Sequence, residues 1–318
     1  MEDASGQARL SVIIPTYNRA RALRRALASV LPQLSVDDEV LIIDDQSTDE
    51  TSELVRGVKD ARIRYMSTTC REGPAKARNM GIHAANSEVL VFLDSDDEWM
   101  PGRLSLTYDA FELRPEAVAI ACGCECPQDE SRSYGRAHGE MTPIDLGPWI
   151  PWRVPGASCW MVRRDTAMSV GGFSEDLSRF EDWEFIIKLA KKGQVLWLPA
   201  RLVRYHKSAD SLLADEAGYA ASLQRILVRH SEVIRPSAMA YSHYANLLGQ
   251  TLCKEGSAKA ARRWFKHAWS ARPGHPRSVL NWLVSWAGRR AFVAYVNLAR
   301  SVRARTAGAF EPDSRTHG

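Results

Sequence analysis

No stretch of this 318-residue chain reaches the ~18 or more consecutive apolar residues of a membrane-spanning helix. The opening Met1-Glu2-Asp3 has no apolar run behind a basic segment, so no secretory leader is expected, and the chain is expected in the cytoplasm. None of the six cysteines forms a Cys-x-x-Cys pair, which disfavours a zinc site built on paired ligands. Cys122, Cys124 and Cys126 alternate, which on a strand places them on one face, and buried reduced thiols are the expectation there. A second copy of any repeat is also missing, which excludes a helical solenoid.

Hydrophobic residues make up 45% of the chain and charged residues 25%, enough apolar surface for a sizeable core. At roughly 150 residues per domain, the length fits two domains or one large one. The net charge of +4 is unevenly spread. Residues 251–305 hold 12 Lys or Arg against one acid, Glu255, a local +11 that leaves the remainder at −7.

Along the chain, Leu10 to Pro15 reads as an apolar strand, followed by Leu23, Ala26, Leu27, Val30 and Leu31 at the spacing of one buried helix face. Val40 to Ile43 is a second strand ending in Asp44-Asp45, and Ser47-Thr48-Asp49-Glu50 signals a helix start. Ile63 to Met66 is a third strand, and Gly73-Pro74 opens a helix through Ala85. Val89 to Leu93 is a fourth strand, ending in Asp94-Ser95-Asp96-Asp97. This alternation predicts an α/β fold: a mainly parallel, Rossmann-like sheet with helices on both faces. Residues 123–157 read as a long loop region, Ser158 to Val162 as a strand, Phe180 to Lys192 as a helix and Val195 to Tyr205 as one or two short strands. From about Ser211 the pattern is helical; Leu248, Gly249, Leu252, Ala261, Phe265, Ala268 and Pro273 fall at the spacing of a single tetratricopeptide-like hairpin. The expected division is 1–210, an α/β domain; 211–308, a helical region; and 309–318, a disordered tail.

In parallel α/β sheets ligands bind beyond the carboxyl ends of the strands. Thr16-Tyr17-Asn18-Arg19, Asp44-Asp45 and Asp94 to Asp97 all sit at such ends. The last cluster suits Mg2+ or Mn2+, hard cations often held by one or two carboxylates plus substrate phosphates; a solvated acidic turn is the plainer alternative. Asp44-Asp45 can accept hydrogen bonds from a nucleoside, or cap a helix. Arg78 can pair with phosphate, or form a surface salt bridge. Glu181-Asp182 can include a general base for a sugar hydroxyl, although acids at a helix start also simply favour the macrodipole. His206 can bind phosphate or metal, or be structural.

Six segments in this order resemble family 2 glycosyltransferases, which have the GT-A fold: Ser11-Val-Ile-Ile-Pro-Thr-Tyr-Asn-Arg19; Ile43-Asp-Asp-Gln-Ser-Thr-Asp49; Gly73 through Ala77-Arg-Asn-Met-Gly81; Phe92-Leu-Asp-Ser-Asp-Asp97; Arg163-Arg164 with Gly171-Gly-Phe-Ser-Glu175; and Phe180-Glu-Asp-Trp-Glu-Phe185. The resemblance runs from about residue 10 to 206. It implies that Pro15, Thr16, Tyr17 and Asp45 contact the nucleoside, with Asp45 on the base, and that Arg78 faces the base or diphosphate. Asp94 would hold ribose or sugar, with Ser95 beside it in the donor-binding set, and Asp96 would ligate the metal. His206 would lie where a loop closes over the diphosphate. Asp182 would be the base in a single displacement that inverts the anomeric centre. Processive members carry Gln-x-x-Arg-Trp and membrane spans; here Arg263-Trp264 lacks the Gln and spans are missing, so one sugar per binding event is expected.

Residues 276–305 mix Trp282, Leu283, Trp286, Phe292, Tyr295 and Val296 with arginines. Such a mixture suits a helix on an anionic leaflet, giving a peripheral contact with the inner membrane face near lipid-linked acceptors, or a packed helical subdomain with a basic face. The aromatics follow helical spacing and read as core, so a nucleic-acid partner is not expected. The expected partners are a nucleotide-sugar donor and a glycan or lipid-linked acceptor, such as a surface-polysaccharide precursor. The rival readings are a nucleotidyltransferase, which would more naturally carry a Gly-rich basic loop near its N-terminus, and a non-catalytic scaffold working through the C-terminal helices.

Overall fold

Strands with both faces covered need no polar alternation, and the runs Ser11–Thr16 (β1), Glu39–Asp44 (β2) and Val89–Phe92 (β4) are buried throughout. A computed structural model describes residues 9–130, 133–135, 140–144, 155–206 and 218–308. Two units divide at Gly218 and Tyr219. The boundary expected at 210/211 and the tail 309–318 lie outside the described residues.

The first unit is built on one mixed sheet. Its order is β3-β2-β1-β4-β8-β6-β9-β5, with β3 at Ile63–Ser67, β5 at Glu98–Trp99, β6 at Ala117–Glu125, β8 at Trp160–Arg163 and β9 at Gln194–Arg204; β7, Thr142–Pro143, pairs with β9. The first four strands in this order are parallel. Strand β8 then runs antiparallel to β4 and β6, while β6 and β9 are parallel to each other.

Helices α1 (Ala20–Val30), α2 (Thr51–Gly57) and α4 (Arg103–Glu112) bring Leu23, Leu27, Val55, Leu104 and Phe111 into one core cluster with Val12, Ile14, Val40, Ile42 and Val91. On the other face α3 (Pro74–Ala84) lies so close that a methyl on Gly81 would stand 2.5 Å from Ile13 Cγ2. Phe92 there meets Phe173 at 5.3 Å and Phe185 of α6 (Glu181–Ala190) at 6.1 Å, both edge-on. Between β8 and α6 lies the short α5, Arg164–Ser169.

The structure bears on several sequence expectations. The region read as loop from residue 123 begins inside β6, where Gly123 to Glu125 still pair with β9. A Cβ on Gly123 would come within 2.5–3.0 Å of the carbonyls of Tyr134, Ala200 and Pro199, so a bulge passes there that only glycine fits. Cys122, Cys124 and Cys126 are all buried. Residues 194–204, read as one or two strands, form one. Just ahead of α2, Asp49 Oδ1 accepts from the Thr51 amide at 3.1 Å, while the Ser47 hydroxyl accepts from the Asn18 amide instead.

The second unit is helical: α7 (Tyr219–Arg229), α8 (Ser231–Ile234), α9 (Ala238–Lys254), α10 (Ala258–Ala271), α11 (Pro276–Val284) and α12 (Arg289–Gly308). The tetratricopeptide-like positions form the α9–α10 contact: Leu248, Ala261, Phe265 and Ala268 are fully buried. Gly249 is required there, since a methyl would stand 2.5 Å from Phe265 Cε1. Gly249→Val is therefore expected to cost about 1–3 kcal/mol through overpacking, read as a lower denaturation midpoint of the helical unit. An unchanged midpoint would mean the hairpin contact is looser than this. Of the aromatics expected in the core, Phe292 is buried and Trp282 and Tyr295 pack against it, whereas Trp286 faces solvent beside the exposed Leu283; Ser278, Asn281 and Ser285 of the same turns are buried.

Candidate active site

The parallel register puts Thr16 beside Asp44 and Ile13 beside Phe92, so the chain after β1, β2 and β4 emerges at one edge. Because β8 is antiparallel, with Met161 opposite Val91, its start at Ser158–Trp160 lies at that same edge. Tyr205 and His206, just past β9, join it because β9 runs parallel to β6 and Tyr205 N donates to Glu125 O at 2.8 Å.

The first two loops are tied together. Asn18, at φ 50, uses a left-handed backbone that Asn tolerates. Its amide donates to Ser47 Oγ at 2.9 Å, and its Oδ1 accepts from the Thr48 amide at 2.7 Å. Asp44 accepts from the Ser47 amide at 2.9 Å and from the Tyr65 hydroxyl. Asp45 clamps the segment before α3: Oδ1 accepts from Thr68 Oγ1 at 3.0 Å and the Glu72 amide at 2.8 Å, and Oδ2 from the Gly73 amide at 2.8 Å. Pro15 and Thr16 are buried, and Thr16 Oγ1 has no hydrogen-bond partner. Tyr17 is half-buried, with the Arg71 guanidinium 4.2 Å over its ring.

The acidic segment after β4 is held from three sides. Ser158 Oγ accepts from the Asp94 amide at 3.0 Å and donates to Asp97 Oδ2 at 2.5 Å. Burial, with Asp96 and Asp94 close by, pushes the Asp97 carboxyl well above its usual range. Ser95 is buried between them. Asp96 pairs with Arg19 Nη1 at 2.6 Å, and its carbonyl accepts from Arg25 Nη2 at 2.5 Å. Burial raises the Asp96 pKa against the pull of Arg19, and Asp94 adds to the rise.

Helix α3 delivers Arg78, which is buried and bridges two carboxylates: Nη2 to Asp94 Oδ1 at 2.6 Å and Nη1 to Glu181 Oε1 at 3.1 Å. Burial alone would favour the neutral guanidine; Asp94 and Glu181 outweigh it and hold the charge. The next residue, Asn79, pins the Gly171-Gly172-Phe173 turn, accepting from the Phe173 amide at 2.7 Å and donating to its carbonyl at 2.8 Å. Gly172, at φ 61, leaves room where a Cβ would meet Asn79 Oδ1 at 2.2 Å.

Glu181 and Asp182 open α6, after Phe180 in a left-handed conformation. With Glu181 turned to Arg78, Asp182 differs from it. Burial, and then the neighbouring Glu181, push Asp182 up to about 7, against the opposing Trp183 amide and Arg78. Part of the residue still meets solvent, which tempers the shift without reversing it. A methyl on Gly156 would stand 3.6 Å from Asp182 Oδ2 and 3.1 Å from the Tyr205 hydroxyl, so both groups border one small space. The Tyr205 hydroxyl accepts from the Gly156 amide at 2.8 Å and lies 3.4 Å from Cys159 Sγ. His206 Nε2 is 3.1 Å from Glu98 Oε1, and Glu98 also pairs with Arg25 at 2.6 Å.

The structure thus gathers Pro15, Thr16, Tyr17, Asp45, Arg78, Asp94, Ser95, Asp96, Asp182 and His206 around one sheet edge. It ties Arg19 to Asp96 and Glu181 to Arg78, both from clusters named in the sequence, and adds Arg71 on Tyr17 and Ser158 on Asp94 in direct contact with that set, with the Tyr205 hydroxyl nearby on Gly156. Arg19 and Glu181 stood in clusters the sequence already marked; nothing local marks the Ser158 hydroxyl as a partner for Asp97, 61 residues away.

Among the described residues, no three His, Cys, Asp or Glu side chains gather as a self-sufficient metal site. The fit to a hard dication is different in kind. Asp96 already faces one cation, the Arg19 guanidinium, and stands among acids that raise one another's pKa. One or two carboxylates completed by substrate phosphates are what Mg2+ or Mn2+ accepts.

The model of the family described as glycosyl transferase family 2 matches residues 11–171. The chain belongs to this family, and it is a glycosyltransferase. A Nostoc sp. protein described as an uncharacterized glycosyltransferase is 38% identical over 226 residues, 65% of this chain and 70% of that one. A Rickettsia felis relative with the same description is 48% identical over 188 residues, 59% of this chain, but this chain spans only 31% of its length. Two solved structures share the fold. S. aureus TarS 1–349 in complex with UDP-GlcNAc is 17% identical, covers 91% of this chain and 92% of that one, and has a TM-score of 0.65. A Pyrobaculum calidifontis mannosyltransferase in complex with GDP-Man and Mn2+ is 22% identical, covers 95% and 84%, and has a TM-score of 0.57.

Proposed function

We propose that this glycosyltransferase moves one sugar per binding event from a nucleotide-diphosphate sugar to a hydroxyl of a glycan or lipid-linked acceptor, inverting the anomeric carbon with the help of Mg2+ or Mn2+. The observation that carries the reading is Asp182, a carboxylate raised to about 7 beside an Arg78-bridged pair of acids. A base needs such a poise to take a proton near neutrality.

The nucleoside would lie against Pro15, Thr16 and Tyr17. Asp45 Oδ2, which accepts the Gly73 amide, retains a lone pair for a base N–H. Asp94 and Ser95 would meet the ribose or sugar. Asp96 would hold the cation together with the donor's phosphates; bound there, it would neutralise charge on the departing diphosphate. Arg19 can exchange Asp96 for phosphate oxygens, and His206 would border the diphosphate. As the acceptor oxygen attacks from the face opposite the leaving diphosphate, its proton passes to Asp182. One displacement of this kind inverts the centre. The likenesses to proteins with bound UDP-GlcNAc and GDP-Man support a nucleotide-sugar donor. A cytoplasmic reaction serving polysaccharide synthesis belongs to the same proposal.

The test is a thermal-shift screen of nucleoside diphosphates and nucleotide sugars, with Mn2+ and with chelator. Ligand at 100 times its Kd stabilises by about 2.7 kcal/mol, so one nucleotude class should raise Tm by several degrees in Mn2+ and less in chelator. An equal shift in chelator would remove the cation from the proposal. No shift with any nucleotide would remove the donor.

A further inference from the structure

Helix α11 buries polar groups and exposes apolar ones. Beside Trp282 and Val284, which pack against the core cluster of Phe265 and Phe292, its inward side carries a polar set: Ser278 Oγ accepts from Asn246 Nδ2 of α9 at 2.7 Å, Asn281 Nδ2 donates to Asn246 Oδ1 at 3.2 Å, and Ser285 in the following turn is buried too. Its outward side is apolar. Val279, Leu280 and Leu283, with Trp286 in the 3-10 turn that follows, are 38%, 45%, 53% and 62% exposed, and 279, 283 and 286 keep an i, i+4, i+7 spacing along one stripe. On α10, Trp269 is 50% exposed. An amphipathic helix normally buries the opposite side, so the outward stripe is shaped for an apolar environment outside this unit.

The charge around the stripe says which environment. From Tyr219 to Ala299 the chain has 12 Lys or Arg and two acids, Glu232 and Glu255. Basic groups frame the aromatics directly: the Arg262 guanidinium lies 4.0 Å over the Trp286 ring, and Lys266 Nζ lies 5.9 Å from the Trp282 ring. Arg277, Arg289 and Arg290 are exposed at the ends of α11 and the start of α12. A second copy would bring two strongly basic surfaces together, which like charge opposes. Nucleic acid would match the charge but leave the Leu and Val stripe uncovered. An anionic leaflet satisfies both: acyl chains take the stripe, and lipid phosphates take the Lys and Arg. Tryptophan suits the boundary between them.

We propose that the α10–α11 face docks the enzyme peripherally on an anionic lipid bilayer, inserting Leu283 and Trp286. This inference does not rest on the transfer mechanism.

The test is flotation of the full chain with vesicles of phosphatidylcholine alone, or of equal parts phosphatidylcholine and phosphatidylglycerol, at low and high salt. Binding is expected on the anionic vesicles alone and should weaken with salt. The double variant Leu283→Ser with Trp286→Ser should lower the bound fraction roughly tenfold, because the lost apolar insertion is not replaced. Both positions are exposed, so its melting temperature should match the parent's. Asp182→Asn should float as the parent does, which separates docking from chemistry. Three results would overturn the proposal: no flotation on anionic vesicles, equal flotation of the double variant, or a dimer in sedimentation velocity that the double variant dissolves.

Discussion

Asp182→Asn is expected to lower the rate of sugar transfer by roughly 10²–10⁴-fold while leaving donor affinity unchanged, the range for removal of a positioned general base. The substitution keeps the shape of the side chain and its acceptor oxygen for the Trp183 amide, so α6 should start as before. What it removes is the basicity. On the proposed mechanism the active form in the parent is the carboxylate, and burial beside Glu181 pushes its pKa up to about 7. Turnover should therefore rise with pH through about 7 and level off above it, and the variant's residual rate should lose that limb. Near-parental turnover in the variant would move the base to another residue, and Glu181, already engaged by Arg78, would be the first to examine.

The same shift makes a prediction about stability whose sign is opposite to that of activity. A carboxyl whose folded pKa is raised binds its proton more tightly in the native state than in the unfolded chain. The stabilising effect is fully present below the unfolded pKa, near 3.8, and is lost as pH rises toward the folded value near 7. Above that, the native state holds a carboxylate it disfavours. Asp182→Asn should accordingly melt higher than the parent at pH 8, with the difference closing toward pH 4. A gain in stability together with a loss in rate is what a functional charge held against its environment produces. Equal melting at both pH values would mean that the carboxylate is solvated.

Much of this arrangement was legible in the amino-acid sequence, for a physical reason. Val12 to Ile14, Val40 to Ile43 and Val89 to Phe92 are apolar without alternation because α1 and α4 cover one side and α3 and α6 the other. Each run ends in a polar cluster, so the edge could be read off from three chain segments. The direction of β8 could not be, because an apolar run looks the same in a parallel and an antiparallel sheet. Nor could the continuation of β6 through Gly123, since a glycine between cysteines resembles a turn until the carbonyls of Tyr134, Pro199 and Ala200 close around it. Among the aromatics read as core, Phe292 is buried and Trp282 and Tyr295 pack against it, but Trp286 misled for a different reason: helical periodicity reports that a helix has two faces, not which of them is inside. There the buried side is set by Asn246 on α9, whose amide finds partners in Ser278 and Asn281. Arg71 and Ser158 were missed because their partners come from loops that meet only in the folded chain.

Asp96→Ala is expected to abolish the metal dependence of donor binding and to lower transfer by at least roughly 10²-fold, since charge stabilisation by a bound cation is worth several kcal/mol and each 1.36 kcal/mol is about tenfold. Asp94 is a poorer test of the same idea. It pairs with the buried Arg78, and breaking a buried pair costs about 3–5 kcal/mol by leaving a charge uncompensated, so loss of activity would be confounded with loss of fold. Asp96 instead pairs with Arg19, whose side chain keeps 25% of its surface in water against 5% for Arg78, so stranding it costs less than stranding Arg78. The fold should therefore survive, and with it the nucleoside contacts of the first two loops. In the thermal-shift assay the variant should show the same small nucleotide shift in Mn2+ as in chelator, whereas the parent should separate the two. Removing Asp96 also removes one of the acids that push Asp97 up, so the segment held by Ser158 should relax rather than tighten. If the variant keeps the parent's Mn2+ response, the cation is held by other groups, and the Arg19–Asp96 pair serves only to fasten the loop after β1 to the loop after β4.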